Sequence, residues 1–157
     1  MAVALALFGL CLGACGFGTS GLSFVEDERV DILRPADHSV VSVPFKVQWS
    51  AEDFRTGADA GSFAVFLDRA PQPPGETIAW MFRDDGACTA APSCPDSQYL
   101  ADHHVFLTDQ RMIEITDVPH DTGDDQRRLH EVTVVLLDEQ GRRIGESAWT
   151  VSFKVRG

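Results

Sequence analysis

Basic charge is scarce in this sequence. Lys and Arg total 13 against 24 Asp and Glu, a formal net charge of -11 over 157 residues. So acidic a chain repels phosphate backbones, which excludes nucleic acid as an expected partner. Repetition is missing as well: no period of roughly 20–50 residues recurs, and neither collagen-like nor low-complexity composition is present. No Gly-x-Ser-x-Gly elbow and no glycine-rich phosphate loop occurs, so hydrolase and nucleotide-binding chemistry has no motif to stand on. No stretch carries the pattern of a long amphipathic helix. What remains is a 44% hydrophobic chain, enough to bury one domain's core. The expectation is a non-enzymatic protein without a cofactor.

Charge is also missing from the start. Every charged residue lies at or beyond Glu26, and residues 1–15 are apolar and rich in small side chains. Such a block reads as an export signal or a membrane anchor rather than as part of a fold. Its apolar run to Cys15 is shorter than the ~20 residues a spanning helix needs. The tetrad Leu12-Gly13-Ala14-Cys15 resembles the bacterial lipobox, in which a signal peptidase cuts before Cys and the thiol carries diacylglycerol. The resemblance implies a mature N-terminus at Cys15, lipid-modified, with Cys11 removed. No Lys or Arg precedes Cys15, so an upstream start or an uncleaved anchor stays open beside it. Residues 16–29 read as a tether holding a domain, residues 30–157, off the membrane.

Beyond Val30 the hydrophobic period is two. Phe45, Val47 and Trp49 alternate with Lys46, Gln48 and Ser50, and Trp149, Val151, Phe153 and Val155 alternate with Thr150, Ser152 and Lys154. Residues 63–67 and 132–137 are apolar on both faces, as central strands are. Asp138-Glu-Gln-Gly-Arg142 between the last two strands suits a hairpin, with Gly141 in the turn. Segments near 30–33, 39–43, 45–50, 62–68, 103–107, 112–116, 130–138 and 143–155 predict an all-β domain of seven or eight strands.

The opening Ile32-Leu-Arg-Pro-Ala-Asp-His-Ser-Val-Val41 resembles the first strand of bacterial immunoglobulin-like and fibronectin III-like domains. These often start with a Pro-Ala-Asp-Gly turn, and His38 stands here for the Gly. The stretch from His130 to Gly145 resembles their final hairpin. The resemblance implies a two-sheet sandwich and, by itself, no function.

Residues 70–111 interrupt the strand pattern, a connection much longer than a sandwich needs. The segment opens on Pro71, Pro73 and Pro74, a stiff extended run. Ile78, Met81 and Phe82 then fit one face of a short helix, although a strand reads nearly as well. Trp80 and Phe82 either cap an open end of the core or, with Met81 and Tyr99, form a partner-binding surface. Cys88 and Cys94 enclose a five-residue loop; outside the cytoplasm such thiols oxidise, which predicts a disulfide. A metal pair would need a second cysteine pair, and none exists beyond the expected presequence.

His103 and His104 are expected to point to opposite faces of a strand. A metal set of His104, His120, Asp121 and His130 is conceivable, whereas the acidic loop holding Asp117, Asp121, Asp124 and Asp125 lacks calcium-loop spacing. The leading functional expectation is a membrane-tethered domain on the outer side of a bacterial membrane. It acts as an interaction or accessory subunit of an envelope or membrane complex, with a protein partner met through the insert. The alternative is a small-ligand or metal-binding exported domain that uses the histidines and the acidic loop.

Overall fold

Strict alternation builds the first sheet. In β3 (Phe45–Ala51) the residues Phe45, Val47, Trp49 and Ala51 are buried, while those between face outward. A strand with one apolar face must lay that face on a core, and β3 does so flanked by β1 (Val30–Arg34) and β6 (Met112–Ile115), both antiparallel to it. The computed structural model describes residues 29–119 and 129–156, without the side chains of residues 146–148. Cys15, the expected presequence, the tether up to residue 28, His120 and Asp121 all lie outside the described residues.

The second sheet is larger. It runs β2 (Ser39–Val41), β8 (Arg143–Val155), β7 (His130–Leu137), β4 (Ser62–Leu67), β5 (Val105–Thr108), in that order. All its pairs are antiparallel except β2, which lies parallel to β8 with Ser39 opposite Phe153. Among the described residues the chain is therefore all-β, with eight strands in two sheets and three short helical segments.

The chain changes sheets between β1 and β2 through the turn at residues 35–38. Asp37 accepts the Ser152 N–H at 2.9 Å, and the His38 N–H donates to the Ser152 carbonyl at 2.6 Å. His38 takes φ +57, the left-handed conformation that glycine adopts without strain. The β7–β8 hairpin forms where expected. Gly141 has φ +72, and the Asp138 carboxylate accepts the N–H groups of Gln140 and Arg142.

The two sheets share one core. Val47 and Trp49 of the first sheet meet Phe63, Val65, Val132, Val134 and Phe153 of the second. Trp49 stands edge-on to Phe63 at 5.2 Å and Phe45 edge-on to Phe153 at 5.1 Å, geometries that add to plain area burial.

The other face of the five-stranded sheet carries a second apolar cluster. Ala64, Phe66, Val105, Val135 and Leu137 project there and are covered by Ile78, Phe82, Cys88 and Leu100 of the insert. This covering explains why β4 and β7 are apolar on both faces: each is buried between two layers.

Three expectations change. Phe82 covers the broad outer face of a sheet rather than plugging an open end of the core. His103 and His104 precede the strand rather than lying in it: His103 caps a helix, and His104 turns the chain at φ +56 into β5. Trp149 is 39% exposed although its parity predicted burial. Trp149 stays in register opposite Val134, at the edge of a register shift toward Leu136–Ile144 where β8 carries more residues than β7.

Candidate functional site

The expected insert, residues 70–111, contains the whole of β5, so the added layer is made by residues 70–104. Its opening segment zips onto the start of β8. Gly75 N–H donates to the Arg143 carbonyl and Arg143 N–H donates to the Glu76 carbonyl, both at 2.9 Å. The Arg143 guanidinium donates through Nη1 to the Gln72 carbonyl at 2.7 Å, and burial holds its pKa below the ordinary arginine value. The Gln72 side chain is wholly buried, and neither of its amide atoms has a hydrogen-bond partner among the described residues.

A short 3₁₀ segment follows at Ile78–Phe82, and its two end residues are the buried ones. Ile78 and Phe82 point onto the sheet, and Trp80 and Met81 stay half-buried at the surface. The Arg83 guanidinium lies 3.7 Å above the Trp80 ring and donates to the Trp80 carbonyl at 3.0 Å. A cation held over an indole face in this way presents a flat, amphipathic surface.

Two aspartates organise the rest. Asp85 caps α1 (Gly86–Thr89), its Oδ1 accepting the N–H groups of Ala87 and Cys88 at 2.8 and 3.1 Å. Asp96 caps α2 (Ser97–Asp102) by accepting the Tyr99 N–H at 2.8 Å. Such caps satisfy amides that a helix start leaves without partners. A disulfide joins Cys88 of α1 to Cys94 in the turn before α2.

Tyr99 ties the two helices together, donating its hydroxyl to Asp85 Oδ2 at 2.5 Å. That bond, helped by the Cys88 N–H, holds the Asp85 pKa below its ordinary value, and the same bond pushes the Tyr99 pKa up. The Tyr99 ring stacks on His103 at 4.2 Å, and His103 Nδ1 donates to the Tyr99 carbonyl at 2.7 Å. Phe82 stands edge-on to both rings, with Arg69 over it at 4.8 Å.

The structure thus brings Trp80, Met81, Phe82 and Tyr99 into one cluster but gives them different tasks. Phe82 is 3% exposed and supports the cluster from beneath, whereas Trp80, Met81 and Tyr99 reach its surface. Arg83, Asp85 and His103 complete the cluster; Arg83 and Asp85 were not singled out in the sequence, and His103 was expected in a strand. For Asp85 a signal existed: an Asp directly before Gly-Ala-Cys-Thr is a helix-start pattern.

Of the histidines expected to serve a metal, His104 and His130 lie among the described residues and are placed otherwise. His130 is buried, with Nδ1 bonded to Asp68 Oδ2 at 2.7 Å, while Asp68 Oδ1 accepts the Glu131 N–H. His104 contributes its carbonyl, which accepts the Leu67 N–H at 3.0 Å. Among the described residues no group of three or more His, Cys, Asp or Glu side chains stands close enough to hold a metal.

Asp68 was not singled out by sequence reasoning. Its signals were a charge directly after five apolar residues and, in the structure, a φ of +52 that turns the carboxylate back onto β7. No family model, curated protein or solved structure matches the chain, so the reading of this cluster rests on its geometry.

Proposed function

We propose that this chain is a non-enzymatic, membrane-tethered domain of the immunoglobulin-like sandwich type on the outer side of a bacterial membrane. In this reading it is an interaction or accessory subunit of an envelope or membrane complex. The thiol of Cys15 carries the lipid, and residues 16–29 form the tether. Support for the sandwich type comes from the divided first strand, with β1 antiparallel to β3 in one sheet and β2 parallel to β8 in the other. The turn between them, with its Asp37 and left-handed His38, fits the same family pattern.

The observation that carries the interaction role is the construction of the insert. A connection needs a few residues; this one forms its own apolar layer, two capped helices and a disulfide. The layer sets a half-buried Trp80 beneath Arg83 at its surface. Preordering of this kind lowers the entropy lost on binding, and Trp, Tyr and Arg are the types that dominate interface energies.

The test uses the full chain extracted from membranes in detergent. Trp80→Ala combined with Arg83→Ala is expected to abolish co-purification of the partner while the melting temperature moves by only a few degrees. Retention of every partner by this double variant overturns the reading.

A further inference from the structure

We infer that the edge formed by β1 and β2 is a docking surface for anionic phospholipid headgroups, resting the domain sideways on the membrane that tethers it. The inference rests on the membrane-tethered reading above and adds the orientation of the domain to it.

Three large apolar side chains cluster at this edge and its turn: Leu33 at 49% exposure, Val40 at 56% and Val43 at 41%. An open groove of about 550 Å³ runs here, lined by Leu33, Val40 and Phe45 together with Arg34 and Lys46. On the β8 side Lys154 stands opposite Val40, and Arg156 follows, its N–H donating to the Val41 carbonyl.

Charge identifies the occupant. The chain has only two lysines, Lys46 and Lys154, and both flank this edge, although the net charge is -11. All four cations are exposed, and none makes a side-chain ion pair among the described residues. The acidic neighbours are Asp31, Asp37, Glu114 and Glu131; Asp37 is engaged with the Ser152 N–H, Glu114 lies opposite Lys46, and Glu131, opposite Ser152, is diagonal to Lys154. Apolar side chains rimmed by Lys and Arg match a bilayer boundary, where the former enter between headgroups and the latter meet phosphate.

The reach is adequate. The fourteen residues 16–29 can span at most roughly 50 Å, ample for a domain to lie flat beside its anchor. The insert covers the face of β4, β5 and β7, away from the β1/β2 edge, so docking leaves Trp80 free to meet a partner.

The test is backbone hydrogen exchange on the full chain in vesicles of phosphatidylcholine, with and without phosphatidylglycerol. Edge strands keep outward N–H groups open to water, so exchange across residues 31–34 and 39–43 is fast in neutral vesicles. It is expected to slow in anionic vesicles at low salt and to recover at high salt. Lys46→Gln and Lys154→Gln are each expected to weaken docking roughly fivefold. Leu33→Ser with Val40→Ser is expected to remove the protection without changing the melting temperature.

Equal exchange in both vesicle types overturns the inference. So does protection that appears with polyglutamate but not with phosphatidylglycerol, which assigns the edge to an acidic protein segment. Flotation of wild type with neutral vesicles reports the tether separately, so a failed tether and a failed docking edge give different results.

Discussion

Phe82→Ala removes the side chain that seats the insert on the sheet. Phe82 is 3% exposed, lies among Ile78, Cys88 and Leu100, and faces Phe66 and Val105 of the sheet as part of one cluster. Truncating a buried Phe costs about 3–5 kcal/mol from lost transfer energy and the cavity left behind. Its edge-on contacts with Tyr99 and His103, at 5.1 and 5.3 Å, place the site toward the upper part of that range. Because β4 and β7 belong to both apolar clusters, the loss is felt by the whole domain rather than by the insert alone. The melting temperature should fall by about 10–20 °C in a calorimetric scan, with the calorimetric and van't Hoff enthalpies still equal. Trp80→Ala, two residues away but half-buried at the surface, should cost only about 1 kcal/mol. A Phe82→Ala protein that melts like wild type, or a Trp80→Ala protein that melts lower than Phe82→Ala, would refute the assignment of inner and outer sides to the 3₁₀ segment.

Trp49 is 1% exposed in the shared core, so Trp49→Ala should cost about 3–5 kcal/mol by denaturant titration. Trp49→Phe should cost much less, because it also removes an indole N–H that has no partner among the described residues. Reduction of Cys88–Cys94, which are six positions apart, should release about 2 kcal/mol of constraint. Hydrogen exchange should then quicken across residues 86–102 while β3 and β7 stay protected, and uniform acceleration would count against a separate layer. The Asp85 pKa is lowered by the Tyr99 hydroxyl first, so its contribution is present above the ordinary value of 3.8 and is lost as pH falls through the folded value. Tyr99→Phe should flatten the acid limb of the stability profile below pH 3.8, and identical acid limbs would contradict the coupling.

Legibility followed the range of the interactions. Alternation is local, so Phe45, Val47 and Trp49 announced their buried face, and Gly141 announced its hairpin. The two-faced burial of residues 63–67 was legible too, but what covers the second face was not. The cluster that holds Phe66 and Phe82 joins distant segments, and no period in the chain records it. Trp149 misled because it keeps the parity of Val151 and Phe153, opposite Val134, and is exposed nonetheless; parity records which face a side chain takes and not how far that face is covered. The Asp68–His130 bond escaped for a similar reason. Two polar residues 62 positions apart meet only once β4 and β7 have paired.

The central claim is that the outer surface of the insert is where a partner binds. Site-specific photo-crosslinking from position 80 in the full chain on intact membranes tests it most directly. Position 48 serves as the reference, because Gln48 faces outward from β3 in the sheet that carries no insert. Wild-type melting should be kept in both labelled proteins. The expected result is one discrete crosslinked product from position 80 and none from position 48. The same product from both positions, or a product from position 48 alone, would contradict the account.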